Sequence, residues 1–338
     1  MMRLPWFDYR APRSVAEAAK ILAAEGPQAM LVAGGTDLLP NMKRRHQSPS
    51  TLVSLRQVEG LKKISNGSGL TLGAGLTLTA VVQEARTQPY RGLRQAAAQV
   101  ATPQLRNMGT LGGNLCLDTR CTYYNQNYEW RKAIDFCMKK DGEVCWVATA
   151  SKRCLAVSST DTAPALISLG ASVKLVSAAG ERVVALRDLY NNDGMEYLTR
   201  RPDEILTEVM LPEAGGWKST YWKLRRRGSF DFPLLGVAAS VRLSPDGAVE
   251  DARLVLGAVS SHPLTIHVEK IVLGKKLADD VIAEVGEAAQ SRAKPMDNAD
   301  MDLRWRKHVV ADFVGYALKE LRGDDMSAMR LRIARQAL

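Results

Sequence analysis

No stretch of the 338 residues approaches the ~20 consecutive apolar positions that a membrane helix needs, so no membrane span is expected. Arg3, Pro5 and Asp8 interrupt the start of the chain where a signal peptide would be apolar, and a cytoplasmic protein is expected. The G-x-G-x-x-G and P-loop patterns are both missing, which removes Rossmann dinucleotide and Walker nucleotide sites. Only four histidines occur, His46, His262, His267 and His308, none set in a Cys, Ser or carboxylate constellation. No acid-base or nucleophilic role falls to them. Cysteine is absent from residues 1–115 and from 155 onward.

What remains is concentrated. All five cysteines, Cys116, Cys121, Cys137, Cys145 and Cys154, fall in one short stretch, and in a reducing compartment such a crowd reads as metal ligation or redox chemistry before disulfides. The net charge of +10 favours acidic partners. The basic residues are scattered in short clusters such as Arg225-Arg226-Arg227 with no nucleic-acid-binding signature beside them, so no nucleic-acid partner is expected. The length accommodates two or three domains.

Along the chain, Ser14 and Glu17 form a capping box that opens a helix ending at Gly26. Strands are expected at Ala29 to Val32, Leu52 to Leu55 and Leu70 to Ala74, with helices after Leu38, around Ala80 to Arg86 and through 91–101. Asn107 to Asn114 leaves little room for regular structure, and residues 117–158 lack any sustained period and read as an insertion. The pattern resumes with a helix at Ala163 to Leu169 and strands at Ser172 to Val176 and Glu181 to Ala185. Three strand-like runs, Tyr221 to Arg225, Gly236 to Leu243 and Ala252 to Val259, suggest an antiparallel sheet closed by helices Leu277 to Arg292 and Arg304 to Arg322.

Two glycine turns carry the chemistry. Ala33-Gly34-Gly35-Thr36-Asp37 follows a strand, and residues without Cβ let backbone N–H groups converge on an anion such as a pyrophosphate. Thr110-Leu111-Gly112-Gly113-Asn114 repeats the offer with a hydroxyl and an amide, and two such loops in one α/β domain suggest a large ligand. Cys121, Cys137, Cys145 and Cys154 are spaced by sixteen, eight and nine positions, unlike the C-x-x-C of zinc ribbons or common ferredoxins. Spacing leaves a [4Fe-4S] cluster, a structural zinc and four unrelated thiols all open. A segment without apolar periodicity still needs an organising centre to offset its ordering entropy.

Ala33-Gly34-Gly35-Thr36-Asp37-Leu38-Leu39-Pro40 together with Thr110-Leu111-Gly112-Gly113-Asn114-Leu115 resembles the FAD-binding subunit or domain of the xanthine dehydrogenase and carbon monoxide dehydrogenase family, over nearly the whole chain. The resemblance implies an α+β fold, a vanillyl-alcohol-oxidase-type FAD-binding unit of two α/β subdomains plus a C-terminal α+β domain with a three-stranded antiparallel sheet. It divides the chain into 1–57, 58–215 with an iron-sulfur insertion at 117–158, 216–325 and a tail at 326–338. It implies that Leu31, Val32, Ala33, Gly34, Gly35, Thr36, Asp37 and Leu38 wrap the pyrophosphate and that Thr110, Gly113, Asn114 and Cys116 line the path from adenine to flavin. Asp161 matches a residue near the ribityl and phosphate groups, Leu206 an apolar residue near the isoalloxazine ring, and Lys223 a basic residue beside it. Ordinary packing for Leu206 and a solvated strand position for Lys223 are the plain alternatives.

Within that family, Asp118-Thr119-Arg120-Cys121-Thr122-Tyr123-Tyr124-Asn125-Gln126 resembles the insertion that carries a [4Fe-4S] cluster in the 4-hydroxybenzoyl-CoA reductase branch, with the later cysteines in register as ligands. The implied partners are a small [2Fe-2S] subunit, a large molybdopterin subunit and a ferredoxin-like donor, in a dimer of heterotrimers that touches no membrane. Arg131, Lys132, Lys139, Lys140, Lys152 and Arg153 are expected to form a docking face for an acidic ferredoxin. Another molybdenum hydroxylase, a free-standing FAD oxidoreductase and a zinc-binding nucleic-acid module are the alternatives.

Overall fold

The computed structural model describes residues 3–334. Three sheets organise it. In the first, β1 (Asp8–Arg10) and β2 (Ala29–Val32) both pair in parallel with β3 (Thr51–Ser54). Helix α1 (Val15–Glu25) starts where Ser14 accepts a hydrogen bond from the Glu17 N–H, and stops at Gly26, whose φ of 62° costs a glycine little. Helix α2 (Leu38–Lys43) follows the first glycine turn directly.

The second sheet contains β4 (Ile64–Gly67), β5 (Gly69–Gly73), β6 (Ser172–Ser177), β7 (Gly180–Ala185) and β8 (Ile205–Pro212), in the order β4-β5-β8-β6-β7. The sequence reading has no strand at Ile205 to Pro212, yet β8 is the central strand and joins two halves that lie about a hundred residues apart in the chain. Between the halves run α3 (Leu78–Gln83), α4 (Arg91–Ala98), α5 (Pro103–Arg106), α6 (Leu111–Leu115), α7 (Tyr128–Ala133) and α8 (Thr162–Ser168). Helix α6 corrects the expectation that Asn107 to Asn114 is irregular. Thr110 caps it by accepting from the Gly113 N–H at 3.1 Å, and Gly112 lets it approach so closely that a Cβ there would lie 2.7 Å from the Ala74 methyl.

The third sheet is antiparallel with four strands rather than three, β9 (Trp217–Leu224), β10 (Leu235–Leu243), β11 (Val249–Gly257) and β12 (Leu264–Ile266), in the order β12-β11-β10-β9. At three residues, β12 is too short to show a period. Both faces are covered. Tyr221, Ala238 and Val255 face the core shared with the second sheet, while Trp222, Val237 and Leu254 face α10 (Asp279–Arg292) and α11 (Leu303–Arg322), which follow α9 (Glu269–Val272). The region read as a tail contains α12 (Ser327–Ala334), from which Arg330 reaches Glu320 on α11 and the Thr220 hydroxyl on β9. Residues 335–338 lie outside the described residues.

Candidate functional site: a glycine-walled cleft and a buried thiol pocket

The two glycine turns touch. A Cβ on Gly34 would sit 2.0 Å from the Met108 carbonyl oxygen and 3.0 Å from the Gly109 Cα, so only glycine allows the approach. The second turn is fixed to the neighbouring chain by Leu78 N–H to Gly109 O at 2.9 Å and Leu111 N–H to Leu76 O at 2.9 Å. Together the turns wall one cleft of about 700 Å³, within the range of cofactor sites.

Leu31, Val32, Ala33, Gly34, Gly35, Thr36, Asp37, Leu38, Thr110, Gly113, Asn114, Cys116, Asp161 and Leu206 all line this cleft. Asn114 Oδ1 accepts three hydrogen bonds, from the Thr160 hydroxyl (2.8 Å), the Thr162 hydroxyl (2.6 Å) and the Thr162 N–H (3.2 Å). This fixes the flip of the amide and leaves its NH2 as a donor at the cleft wall. Asp161 accepts from the Tyr221 hydroxyl at 2.8 Å and from Lys223 Nζ at 2.9 Å.

Lys223 is not a cleft residue. It is neither at the solvent nor at the wall, but lies behind Asp161, fully buried, with Nζ also donating to the Gln99 carbonyl at 3.0 Å. Burial pushes the Asp161 carboxyl up and the Lys223 ammonium down, and each charge opposes the effect on the other. Cys116 stands at the end of α6, its thiol also raised by burial.

Cys121, Cys137, Cys145 and Cys154 are all buried and unpaired in disulfides. Cys121, Cys137 and Cys154 share a small core with Tyr124 and Ala156, and Cys145 is close enough to Cys154 to act on its charge. Burial, reinforced by the neighbouring sulfurs, pushes Cys121 up to about 12 and Cys154 up to about 11. Backbone N–H groups of Tyr123 and Tyr124 point at the Cys121 sulfur, and that of Ala156 at the Cys154 sulfur at 3.4 Å. Among the described residues, no group of three or more His, Cys, Asp or Glu side chains is placed to hold a metal ion.

The expected docking face fails at two positions. Arg131 is fully buried and reaches Asp141 at 3.4 Å, and Lys139 is 7% exposed, its ammonium held by Asp118 (2.9 Å), the Thr119 hydroxyl (2.8 Å) and the Gly194 carbonyl (2.6 Å). These two cations are internal ties, and Lys132, Lys152 and Arg153 remain exposed. Asp118, Arg120, Tyr197, Arg200 and Phe232 also line the cleft and were not singled out from sequence as cleft residues. For Asp118 and Arg120 the only signal was their place beside Cys121.

Residues 5–214 match the family described as the FAD binding domain in molybdopterin dehydrogenase, and residues 219–321 match the carbon monoxide dehydrogenase flavoprotein C-terminal domain. The aldehyde oxidoreductase FAD-binding subunit PaoB of Escherichia coli K12 is 32% identical over 82% of this chain and 98% of its own length. In structure, the chain is similar to carbon monoxide dehydrogenase from Hydrogenophaga pseudoflava, with TM-score 0.76 and 26% identity over 95% of this chain and 99% of that one. Quinoline 2-oxidoreductase from Pseudomonas putida 86 gives TM-score 0.74 and 26% identity over 95% and 98% of the two chains.

Proposed function

Because the chain belongs to the FAD-binding medium subunits of the xanthine and carbon monoxide dehydrogenase family, we propose that it is the electron-transfer flavoprotein of a molybdenum enzyme and carries a [4Fe-4S] cluster beside its FAD. The observation that carries this reading is the contact of the two glycine turns at the wall of one cleft, with four buried reduced thiols in the adjoining segment. When bound, flavin exchanges one or two electrons and a cluster one, so a chain holding both relays electrons and needs no substrate pocket.

In this reading the backbone of Leu31 to Leu38 holds the pyrophosphate, and Thr110, Gly113, Asn114 and Cys116 flank the path to the ring. Asp161 supplies an acceptor toward the ribityl region, Leu206 an apolar surface for the ring, and Lys223 fixes the Asp161 carboxylate from behind. Cys121, Cys137, Cys145 and Cys154 hold the cluster. Burial raises the thiols of Cys121 and Cys154, so their thiolates form in this pocket only beside a strongly cationic centre, and the N–H groups aimed at these two sulfurs stabilise the ionised form.

The partners in this proposal are a small [2Fe-2S] subunit, a large molybdopterin subunit and a ferredoxin-like donor in the cytoplasm, the whole forming a dimer of heterotrimers. The substrate is 4-hydroxybenzoyl-CoA, dehydroxylated in the large subunit. Aldehyde oxidation is the second reading, favoured by the similarity to PaoB. Turnover of the anoxically purified complex with each substrate separates the two. The flavin and cluster are tested by absorption and by flavin, iron, sulfide and zinc assays, with one FAD and about four irons per chain expected and the iron lost in Cys137→Ser or Cys145→Ser. Colourless protein overturns the flavin reading, and yellow iron-free protein from an anoxic preparation removes the cluster.

A further inference from the structure

The cysteine insertion grips the flavin cleft at both ends of α2. At its neck, the backbone of Arg120 pairs with Val157 through hydrogen bonds of 2.8 and 2.7 Å. The Arg120 side chain then crosses to the first glycine turn, where it ion-pairs with Asp37 and donates from Nη1 to Asn41 Oδ1 at 3.1 Å. Asn41 closes the triangle by donating from Nδ2 to Asp37 at 3.2 Å. Beyond the other end of α2, His46 stacks on Tyr124 with ring centroids 4.2 Å apart, and its Nε2 lies 3.3 Å from the Gln126 carbonyl oxygen.

Cys121 sits between these two attachments. Residues 120–126 are thus one short segment that holds the chain at Asp37 and Asn41 and again at His46 just past α2, and that carries a cysteine of the thiol pocket. Arg120 itself lines the cleft, is buried to all but 8% of its side chain, and has an Nε without a partner among the described residues. An arginine held by one arm on Asp37 at the glycine turn and by the other on Asn41 of α2, its Nε buried without a partner, is placed to set the position of Asp37 and Leu38.

We infer that Arg120 is a positioning residue of the flavin site, acting through Asp37 and Asn41, and that through it a filled thiol pocket raises the affinity of the cleft for FAD. This rests on the cluster reading above. Fixing Cys121 in a cluster fixes its neighbour Arg120 and hence the start of α2, so the entropy of ordering this segment is lost once rather than again when FAD binds. Coupling of this kind is reciprocal, and bound FAD raises the affinity of the pocket for its centre by the same factor.

The test titrates FAD into the deflavinated complex, following flavin fluorescence, with the cluster intact and after its removal by an iron chelator. Wild type is expected to lose about tenfold in FAD affinity when the cluster is removed. In Arg120→Met the two affinities become equal, and in Arg120→Lys part of the ratio returns. A merely structural role would weaken both affinities by one factor and leave their ratio unchanged, and that result overturns the inference. Should Arg120→Met not fold, Asn41→Ala removes one arm of the triangle, leaves the neck pairing intact, and is expected to shrink the same ratio. Protein that holds iron but shows no ratio in wild type overturns the coupling alone, whereas protein that takes up no iron overturns the cluster reading and the coupling with it.

Discussion

The cleft and the thiol pocket adjoin one another but are built differently. The cleft is walled by regular elements, β2, β8 and the starts of α2 and α6, whose other faces are buried in apolar cores, with glycine at its two turns and one left-handed residue with a Cβ, Ala101 (φ 43°), at its wall. Residues 117–158 contain one short helix, and around Cys137 three residues with a Cβ, Asp135, Phe136 and Asp141, adopt left-handed φ values of 58°, 56° and 70°. Such residues cost about 1–3 kcal/mol each and persist only where the surroundings hold them. Of the seven buried side-chain atoms without a hydrogen-bond partner among the described residues, four belong to this segment, two on Arg131 and one each on Arg120 and Asn125, which also line the cleft. The cleft is therefore the more regularly built of the two. The pocket is held by ion pairs such as Lys139–Asp118 and accumulates strain and unmet polar groups, so it gains more from a bound centre.

The largest blow to this contrast is aimed at the cleft framework. Lys223→Met leaves the Asp161 carboxylate buried without its cation, which costs about 3–5 kcal/mol where one partner of a buried pair is lost. Denaturant unfolding of the apo chain should show the loss, and a change below about 1 kcal/mol would mean that the pair does not brace the wall. Next, Gly34→Ala forces the two turns apart at about 1–3 kcal/mol, a 5- to 150-fold loss of FAD affinity. Equilibrium dialysis for FAD checks it, and an affinity unchanged within about twofold would mean that the contact of the turns does not shape the cleft.

The smallest effect sharpens the contact between them. Burial lowers His46 to about 4, against the Gln126 carbonyl, which favours the charged ring. In the unfolded chain this imidazole titrates near 6.5, so the native state holds fewer protons below that pH. The stability it contributes is complete above pH 6.5 and is lost as pH falls through 4. Thermal melts of the apo chain across this window should fall more steeply for wild type than for His46→Phe, which keeps a ring against Tyr124. Equal slopes would show that His46 is protonated in the fold or already paired.

Much of the cleft was legible in sequence because its determinants are local. A strand followed by two glycines, a threonine able to cap a helix, and a capping box at Ser14 each act within a few residues. What was not legible depends on distant partners. Strand β8 pairs regularly with β5 and, across a bulge at Lys174/Leu175, with β6, and its own alternation is interrupted by the buried Ile205-Leu206-Thr207. Arg131 and Lys139 read as surface charge because only folding brings Asp141 and Asp118 to them. The place of Lys223 behind Asp161 was equally hidden, since the two residues lie on neighbouring walls of one core.

That β8 lies at the middle of its sheet bears on synthesis. Translation delivers β4 and β5, then the cysteines, then β6 and β7, and only afterwards the strand that joins them. Until residue 212 clears the ribosome the nascent chain has two hairpins with nothing between them, and all four sulfurs have emerged before their scaffold can shut.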